Sequence, residues 1–234
     1  MYKNRFTLLL LFLFVNIFLS CGLALSRETS AREDLTDIFN EMEIANTAFK
    51  TMKADIVYTR TIALLEYTEV SHGEISYKKP RRLYLKFAPP RDEINIIDEK
   101  HIWIYRPAKK QVEKYDAGSS DPSRGTSFLD FGYGSAVGKI RKDYDITLLD
   151  TKEEGKKWFY LLDLSPRDPR SHYSNIRLWV EEGFWLPNKI ELYESDGEIV
   201  NIIELKNIKL NKSISDKLFR FDVPRGVEVI EPFH

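Results

Sequence analysis

The sequence is short of the residues that build covalent or metal-bound frameworks. Its only cysteine is Cys21, and its four histidines, His72, His101, His172 and His234, are not spaced like metal ligands. A single cysteine cannot form an internal disulfide. Without a cluster of Cys or His side chains, no metal site is expected. We expect no other cofactor either.

Recognisable catalytic motifs are also missing. The glycine-rich stretch from Gly132 to Gly138 matches neither G-x-G-x-x-G nor G-x-S-x-G, so it predicts neither a dinucleotide loop nor a nucleophile elbow. Adjacent acids such as Glu153-Glu154 and Glu181-Glu182 lie at the ends of predicted strands, where a solvated turn explains them. We therefore expect no catalytic residues and no enzymatic activity.

The charge balance argues against nucleic acid as a partner. The formal net charge is −1, and loss of Lys3 and Arg5 with an N-terminal signal would take it to −3. Affinity for nucleic acid depends on a basic surface that neutralises phosphates. The basic cluster at residues 78–82 is therefore interpreted as a local feature of a strand end.

The N-terminus has the pattern of a secretory signal. Two basic residues precede an apolar run from Phe6 to Leu19, which is too short for a comfortable membrane span, although a retained anchor is the alternative. Cys21 lies in a lipobox-like context and would become lipidated. Ala24-Leu25-Ser26 is an equally readable cleavage site that would discard this cysteine. We predict a signal peptide at residues 1–26 and one domain at 27–234, located in the periplasm as a soluble or an outer-membrane-tethered protein.

The mature chain reads as one helix followed by many strands. Ser30 to Glu33 has the form of a capping box, and apolar residues then recur at helical spacing for roughly five turns. From Lys53 onward the apolar period changes to two, with turn signals at short intervals such as Asp196-Gly197. About ten strands without βαβ alternation favour a mainly β fold: an incomplete antiparallel barrel with helices over its concave, hydrophobic face.

One long interval and an excess of aromatic residues suggest a covered cavity. Residues 116–142 are too long for a hairpin and carry the apolar group Phe128, Leu129 and Phe131, which favours a lid over a plain loop. Strands such as HIWIY and WFYLLDL are apolar on both faces. A curved sheet around a hydrophobic cavity would explain this, and so would an ordinary sandwich core.

Taken in order, these segments resemble the periplasmic lipoprotein carriers of the LolA type. The resemblance rests on Gly73, on Lys78-Lys79-Pro80, on Trp103-Ile104-Tyr105-Arg106-Pro107, and on the ending with Phe219, Phe221, Pro224, Gly226, Val227 and Val229. It implies a carrier that holds the acyl chains of lipoproteins and moves them from the inner to the outer membrane. The implied partners are acylated lipoproteins or lipids, an inner-membrane releasing transporter and an outer-membrane receptor. A monomer is expected.

The resemblance also implies a site. Alternation places eight side chains towards a lipid cavity, under a lid formed by Phe128, Leu129 and Phe131. The family's usual arginine before the strand proline, which controls the lid, falls on Lys79. Lysine lacks the planar guanidinium fork, so Arg81 or Arg82 could take over the contact. The eight predicted cavity residues are Ile56, Leu83, Leu85, Phe87, Ile102, Ile104, Leu162 and Leu164.

Two other functions remain compatible with the sequence. If Cys21 is lipidated, the same fold would suit a membrane-tethered lipid-binding protein better than a shuttle. A periplasmic sensor of mislocalised lipoproteins is the other alternative, since sigma-factor regulators contain a similar half-barrel. Those regulators carry an additional C-terminal domain, which disfavours this alternative.

Overall fold

The computed structural model describes residues 25–116, 127–134 and 137–231. Contacts divide the chain into a unit that ends at Glu41 and a unit that begins at Met42. The described part of the first unit is helical. The second unit contains the end of the same helix, all described strands and the remaining short helices.

Helix α1 spans Leu25–Ala48 and ends where the sequence predicts. Its predicted start is wrong, because Ser30 and Glu33 lie inside the helix rather than at its N-cap. Arg27 and Glu28 are good helix formers, so nothing forces the chain out of helical geometry before Ser30. The pattern S-x-x-E acts as a capping box only where the serine backbone is not helical.

Twelve strands follow in the described chain, with helix α2 (Val137–Asp143) between the sixth and the seventh. The strands are β1 (Thr51–Ile62), β2 (Tyr67–Lys78), β3 (Arg82–Phe87), β4 (Glu93–Ile97), β5 (His101–Arg106), β6 (Gln111–Asp116), β7 (Tyr144–Glu154), β8 (Lys157–Pro166), β9 (Tyr173–Glu181), β10 (Pro187–Glu194), β11 (Ile199–Leu210) and β12 (Glu228–Ile230). Short 3₁₀ turns lie at Ala63–Leu65, Pro107–Lys109, Ser127–Asp130 and Asp216–Phe219.

The described strands form one open sheet in the order β12-β6-β5-β4-β3-β2-β1-β11-β10-β9-β8-β7. Neighbouring strands are antiparallel except β12, which pairs in parallel with β6. The predicted antiparallel, unclosed architecture is therefore confirmed, with twelve strands instead of about ten. No helix among the described residues is both long enough and apolar enough to cross a bilayer.

One C-terminal segment differs from what its sequence predicts. The apolar alternation of LFRFDV predicts a strand, but its first residues belong to a 3₁₀ turn, Asp216–Phe219, and the rest pairs with no described strand. VEVI does form β12, at the sheet edge. Phe219 is buried and Phe221 packs on Trp103 and Tyr105, so the alternation of this segment reflects packing on the sheet rather than membership of it.

The register defines one buried face, which we call the inner face. In β1, β2 and β3 the cross-strand partners Ile56, Gly73 and Phe87 lie on it, and so do Ala54, Ile75 and Leu85. On the other side of β1, Ile56 pairs with Leu205 and Tyr58 pairs with Ile203, from which the inner face continues through Ile190 to Leu178. Since side chains alternate along a strand, the whole inner face follows from these pairs.

Candidate functional site

All eight predicted cavity residues lie on the inner face. Leu85 pairs with Ile75 and Asn95, and Ile104 lies opposite Asn95 on the next strand. On the far half of the sheet, Leu162 and Leu164 pair with Leu178 and Ile176. Their exposed fractions run from 0% for Leu83, Leu162 and Leu164 to 6% for Ile104. The apolar row thus continues from β5 to β8, and its use as a lipid site remains a prediction.

The predicted lid is described only for residues 127–134 and, beyond a gap, from Val137 onward; residues 117–126 lie outside the described residues. We call residues 127–134 the lid segment. Phe128, Leu129 and Phe131 are buried there, at 1%, 6% and 5% exposed. The ring of Phe131 lies edge-on to those of Tyr144 and Tyr173, at 5.8 and 6.3 Å. Phe131 therefore packs against aromatic residues at the first positions of β7 and β9.

Tyr133 is a lid residue that the sequence analysis missed. Its side chain is fully buried, its hydroxyl donates to the Pro187 carbonyl at 2.5 Å, and burial raises the pKa of its phenol. Its ring meets Phe49 edge-on at 5.8 Å, and Phe49 in turn stacks on Tyr77, an inner-face residue of β2. The aromatic chain Tyr133, Phe49 and Tyr77 therefore joins the lid segment to the sheet.

Lys79, the predicted latch, contacts the end of α1 rather than the lid segment itself. Its Nζ donates to the Asn46 carbonyl and lies 3.2 Å from Asn46 Oδ1 and 4.6 Å from the centre of the Phe49 ring. Burial lowers the pKa of Lys79. Asn46 Nδ2 in turn donates to the Gly132 carbonyl at 2.7 Å. The link from Lys79 to the lid segment therefore passes through Asn46.

Arg82 does not take over this contact. Its guanidinium pairs with Glu99 and with Asp216, which also accepts from Lys78 at 2.6 Å. No pattern in the sequence indicated Asn46, because one asparagine in a last helical turn has no distinguishing neighbour. The partner of the latch could be found only from the folded chain.

A polar strip interrupts the apolar inner face at β4, β5 and β6. Glu93 accepts from Arg91 at 2.9 Å and from Arg106 at 3.0 Å, and Arg106 also donates to Glu113 at 2.5 Å. Tyr115 donates to the second oxygen of Glu113 at 2.8 Å. Burial would raise the pKa of Glu113, but the hydrogen bonds from Tyr115 and Arg106 hold it below its usual value. The Glu113 carboxylate is thus kept charged.

Arg91 connects this strip to the aromatic part of the inner face. Its guanidinium carbon lies 4.0 Å from the centre of the Phe87 ring and 5.0 Å from that of Tyr58. Tyr58 donates to Asn201, which donates to Glu194. Burial raises the pKa of Tyr58. The polar strip therefore continues along the end of the sheet, beside Phe87.

The outer face of β5 explains the second apolar face of this strand, for which the sequence left both a cavity and a sandwich core open. Trp103 and Tyr105 point away from Ile102 and Ile104 and pack on Phe221 of the C-terminal segment, at 5.3 and 5.5 Å between ring centres. This segment also borders a polar groove of about 270 Å³ beside Arg82, Asp98 and His101. Trp103 and Tyr105 of this strand thus belong to an outer face that the C-terminal segment covers.

Within the described residues, no three His, Cys, Asp or Glu side chains lie together in a way that could hold a metal ion. Cys21, the possible lipidation site, lies outside the described residues.

Comparison with known proteins points to one family. The sequence model for the outer membrane lipoprotein carrier protein LolA matches residues 47–222. That range includes nearly all the strands, the lid segment and Lys79.

Individual relatives are distant. An uncharacterized protein of Methanocaldococcus jannaschii is 26% identical over 228 residues, which are 97% of this chain and 60% of that protein. An outer-membrane lipoprotein carrier protein of Pseudomonas putida is 27% identical over 161 residues, 68% of this chain and 70% of its own. An uncharacterized conserved protein of Thermus thermophilus has a similar fold, with a TM-score of 0.54 and 12% sequence identity. The superposition covers 85% of this chain and 99% of that protein.

Proposed function

Because the chain belongs to the LolA family of outer membrane lipoprotein carrier proteins, we propose that it carries acyl chains on the inner face of its sheet. In this proposal it works in the periplasm and accepts lipoproteins released from the inner membrane by a transporter. It then delivers them to a receptor at the outer membrane. The protein itself forms and breaks no covalent bond.

The observation that carries the proposal is the apolar part of the inner face, which extends from β5 to β8. The predicted cavity residues on it are at most 6% exposed, from Ile104 on β5 to Leu162 on β8. In the lid segment, Phe128, Leu129 and Phe131 are buried as well, and Phe131 lies against Tyr144 and Tyr173. Hydrogen bonds at Gly132 and Tyr133 join this segment to Asn46 and to Pro187. Acyl chains would take the place of the aromatic contacts.

This arrangement suits transfer rather than permanent storage. An acyl chain leaving water gains about 0.8 kcal/mol for each buried CH₂. Phe131 and Tyr133 of the lid segment already pack against Tyr144, Tyr173 and Phe49, so cargo that displaced them would replace protein contacts. The net affinity is the difference between the two, because the population of the open state scales the observed binding.

The proposal is tested by comparing neighbouring substitutions on β3. Leu85→Glu places a carboxylate on the inner face, where Leu85 is 1% exposed, and should abolish binding of a triacylated lipopeptide. Lys86→Glu is the matched control, since Lys86 is exposed on the opposite face of the same strand. Binding is measured by native mass spectrometry and by retention of the lipopeptide in solution.

Unchanged lipopeptide binding by a folded Leu85→Glu protein would reject the inner face as the lipid site. Folding is checked by circular dichroism and thermal unfolding. If Leu85→Glu does not fold, the unaltered protein still decides the matter. It must bind the triacylated lipopeptide and leave the same peptide without acyl chains unbound.

The processing of Cys21 determines whether such a carrier moves freely. Cleavage after the Ala24-Leu25-Ser26 region would release a soluble shuttle, whereas lipidation of Cys21 would tether the fold to a membrane. The intact mass of the mature protein from soluble and membrane fractions distinguishes these outcomes, because a lipidated N-terminus adds the mass of its acyl groups.

A further inference from the structure

Asn95 has an unusual position for an amide side chain. It lies in the middle of β4 on the inner face, is 3% exposed, and has Leu85 and Ile104 as its cross-strand neighbours. Its Oδ1 atom is buried and accepts no hydrogen bond from the described residues. A buried acceptor without a donor is costly, and native proteins rarely keep one without a reason.

Glu93 fixes the orientation of this amide. Asn95 Nδ2 donates to Glu93 Oε1 at 3.2 Å. The carboxylate also accepts from Arg91 and Arg106, so both of its oxygens already act as acceptors. Turning the amide over would set its oxygen against that carboxylate. Asn95 Oδ1 is therefore held facing away from Glu93, as a buried hydrogen-bond acceptor that no donor of the described residues satisfies.

The surroundings indicate what kind of donor would fit. The charges nearby are already paired, since Glu93 binds Arg91 and Arg106, and Arg106 also binds Glu113. A cationic head group would find no free carboxylate there. A neutral N–H attached to an acyl chain fits both the acceptor and the apolar neighbours Leu85 and Ile104.

We propose that Asn95 Oδ1 accepts a hydrogen bond from the amide N–H of an amide-linked acyl chain, and so makes the inner face selective for N-acylated cargo over ester-linked lipids. This inference rests on the proposed function and specifies the cargo. Glu93 is a positioning residue, because it acts by orienting the Asn95 amide. Arg91 and Arg106 in turn hold the Glu93 carboxylate in place through their hydrogen bonds.

The test uses two ligands that differ in one group. N-palmitoylglycine methyl ester carries an amide N–H, and its depsi analogue has an ester oxygen in that position. Affinities are measured by displacement of a bound fluorescent fatty acid. The unaltered protein should bind the amide about tenfold more tightly, because the ester leaves the buried acceptor unsatisfied. Asn95→Leu should bind both ligands equally.

Asn175→Leu is the matched control. Asn175 has the other buried amide oxygen without a partner among the described residues, and its Nδ2 also donates to a carboxylate, that of Asp163. It lies on the outer face of β9, because the inner face there carries Ile176 and Leu178. The tenfold preference should survive this substitution.

Equal binding of amide and ester by the unaltered protein would overturn the inference while leaving the carrier function intact, and would assign the Asn95 acceptor to a water molecule. Persistence of the preference in Asn95→Leu would overturn it as well. Failure of both ligands and of the triacylated lipopeptide to bind would instead reject the proposed function. The comparison in the unaltered protein stands even if Asn95→Leu does not fold.

Discussion

Glu113 keeps a negative charge beside apolar side chains of the inner face. Its side chain is 24% exposed and lies opposite Ile104, yet both of its oxygens are hydrogen bonded, one to Arg106 and the other to Tyr115. Charge-assisted hydrogen bonds of this kind offset the loss of hydration. The charges of this half-buried polar strip are therefore paired within the protein rather than left to solvent.

This balance predicts a pH-dependent stability. The pKa of Glu113 is lower in the folded protein than its ordinary value of 4.5, so its contribution is full above that pH and is lost as the pH falls through the folded value. Glu113→Gln should lower the free energy of unfolding by about 1–2 kcal/mol at pH 7. The difference in the free energy of unfolding between Glu113→Gln and the unaltered protein should decrease below pH 4.5, as measured by urea unfolding at several pH values.

An equal difference in the free energy of unfolding at pH 7 and at pH 3 would contradict a stabilising role of the Glu113 charge. Glu153→Gln is a suitable control, because Glu153 is exposed on β7. It should leave both the stability at pH 7 and its pH dependence nearly unchanged.

Residue types alone predicted the apolar part of the inner face and missed its polar part. Alternation at Leu83, Leu85 and Phe87 is plain in the sequence because each intervening residue is larger, polar or charged. The same alternation brings Glu93 and Asn95 to that face, but a sequence pattern treats charged and amide residues as solvated. Only the partners supplied by other strands make their burial possible.

Among the elements, the β2–β3 ladder depends on one glycine. A Cβ atom on Gly73 would overlap the carbonyl oxygen of Lys86 and lie 3.2 Å from the Cα of Phe87. Gly73 pairs with Phe87 on one side and Ile56 on the other, so the backbone cannot move away without loosening two ladders. The close approach of strands here requires the absence of a side chain.

Gly73→Ala should therefore destabilise the protein by about 1–3 kcal/mol, through strain in the ladder. Gly138→Ala is the matched control. Gly138 lies in α2 without a positive φ, and no atom lies within 4 Å of the place that an alanine methyl would occupy. Alanine there should be neutral or stabilising by about 0.5–1 kcal/mol. Urea unfolding of both variants measures the difference. Equal effects of the two substitutions would refute the role of Gly73.

Other elements show where local signals were sufficient. The hairpin at Asp196-Gly197 forms as its sequence predicts, with Gly197 at a φ of +73° and its N–H on the Glu194 carbonyl. The 3₁₀ turn at Asp216–Phe219 and the parallel pairing of β12 were not predictable in this way. The turn lies beside β3, where Arg82 binds Asp216, and β12 pairs with the edge of β6, so both depend on strands from distant parts of the chain.

At the scale of the whole molecule, Lys79 connects the strand end, the helix end and the lid segment through Asn46. Lys79→Leu removes the ammonium group while keeping an apolar side chain beside Phe49. We expect amide hydrogen exchange at residues 129–134 to become about tenfold faster, because the hydrogen bonds that position Asn46 are lost. Lipopeptide should still load, and its transfer to a receptor or to vesicles should be impaired.

Lys79→Arg is the matched control for this link. Its guanidinium can reach both the carbonyl and Oδ1 of Asn46, so exchange of the lid segment should be as slow as in the unaltered protein or slower. Unchanged exchange and transfer in Lys79→Leu would show that the lid is held by other contacts, such as Tyr133 with Pro187.

The strand order also determines when the fold can be completed. β1 pairs with β2 nearby, but its other neighbour is β11, where Ile56 meets Leu205 and Met52 meets Leu210. During synthesis, the β1–β11 ladder can therefore form only after almost the entire chain has been made. Among the described strands, the two halves of the sheet have no other pairing that joins them. Such long-range closure makes folding slow, so a nascent chain would keep its apolar strands exposed until β11 arrives.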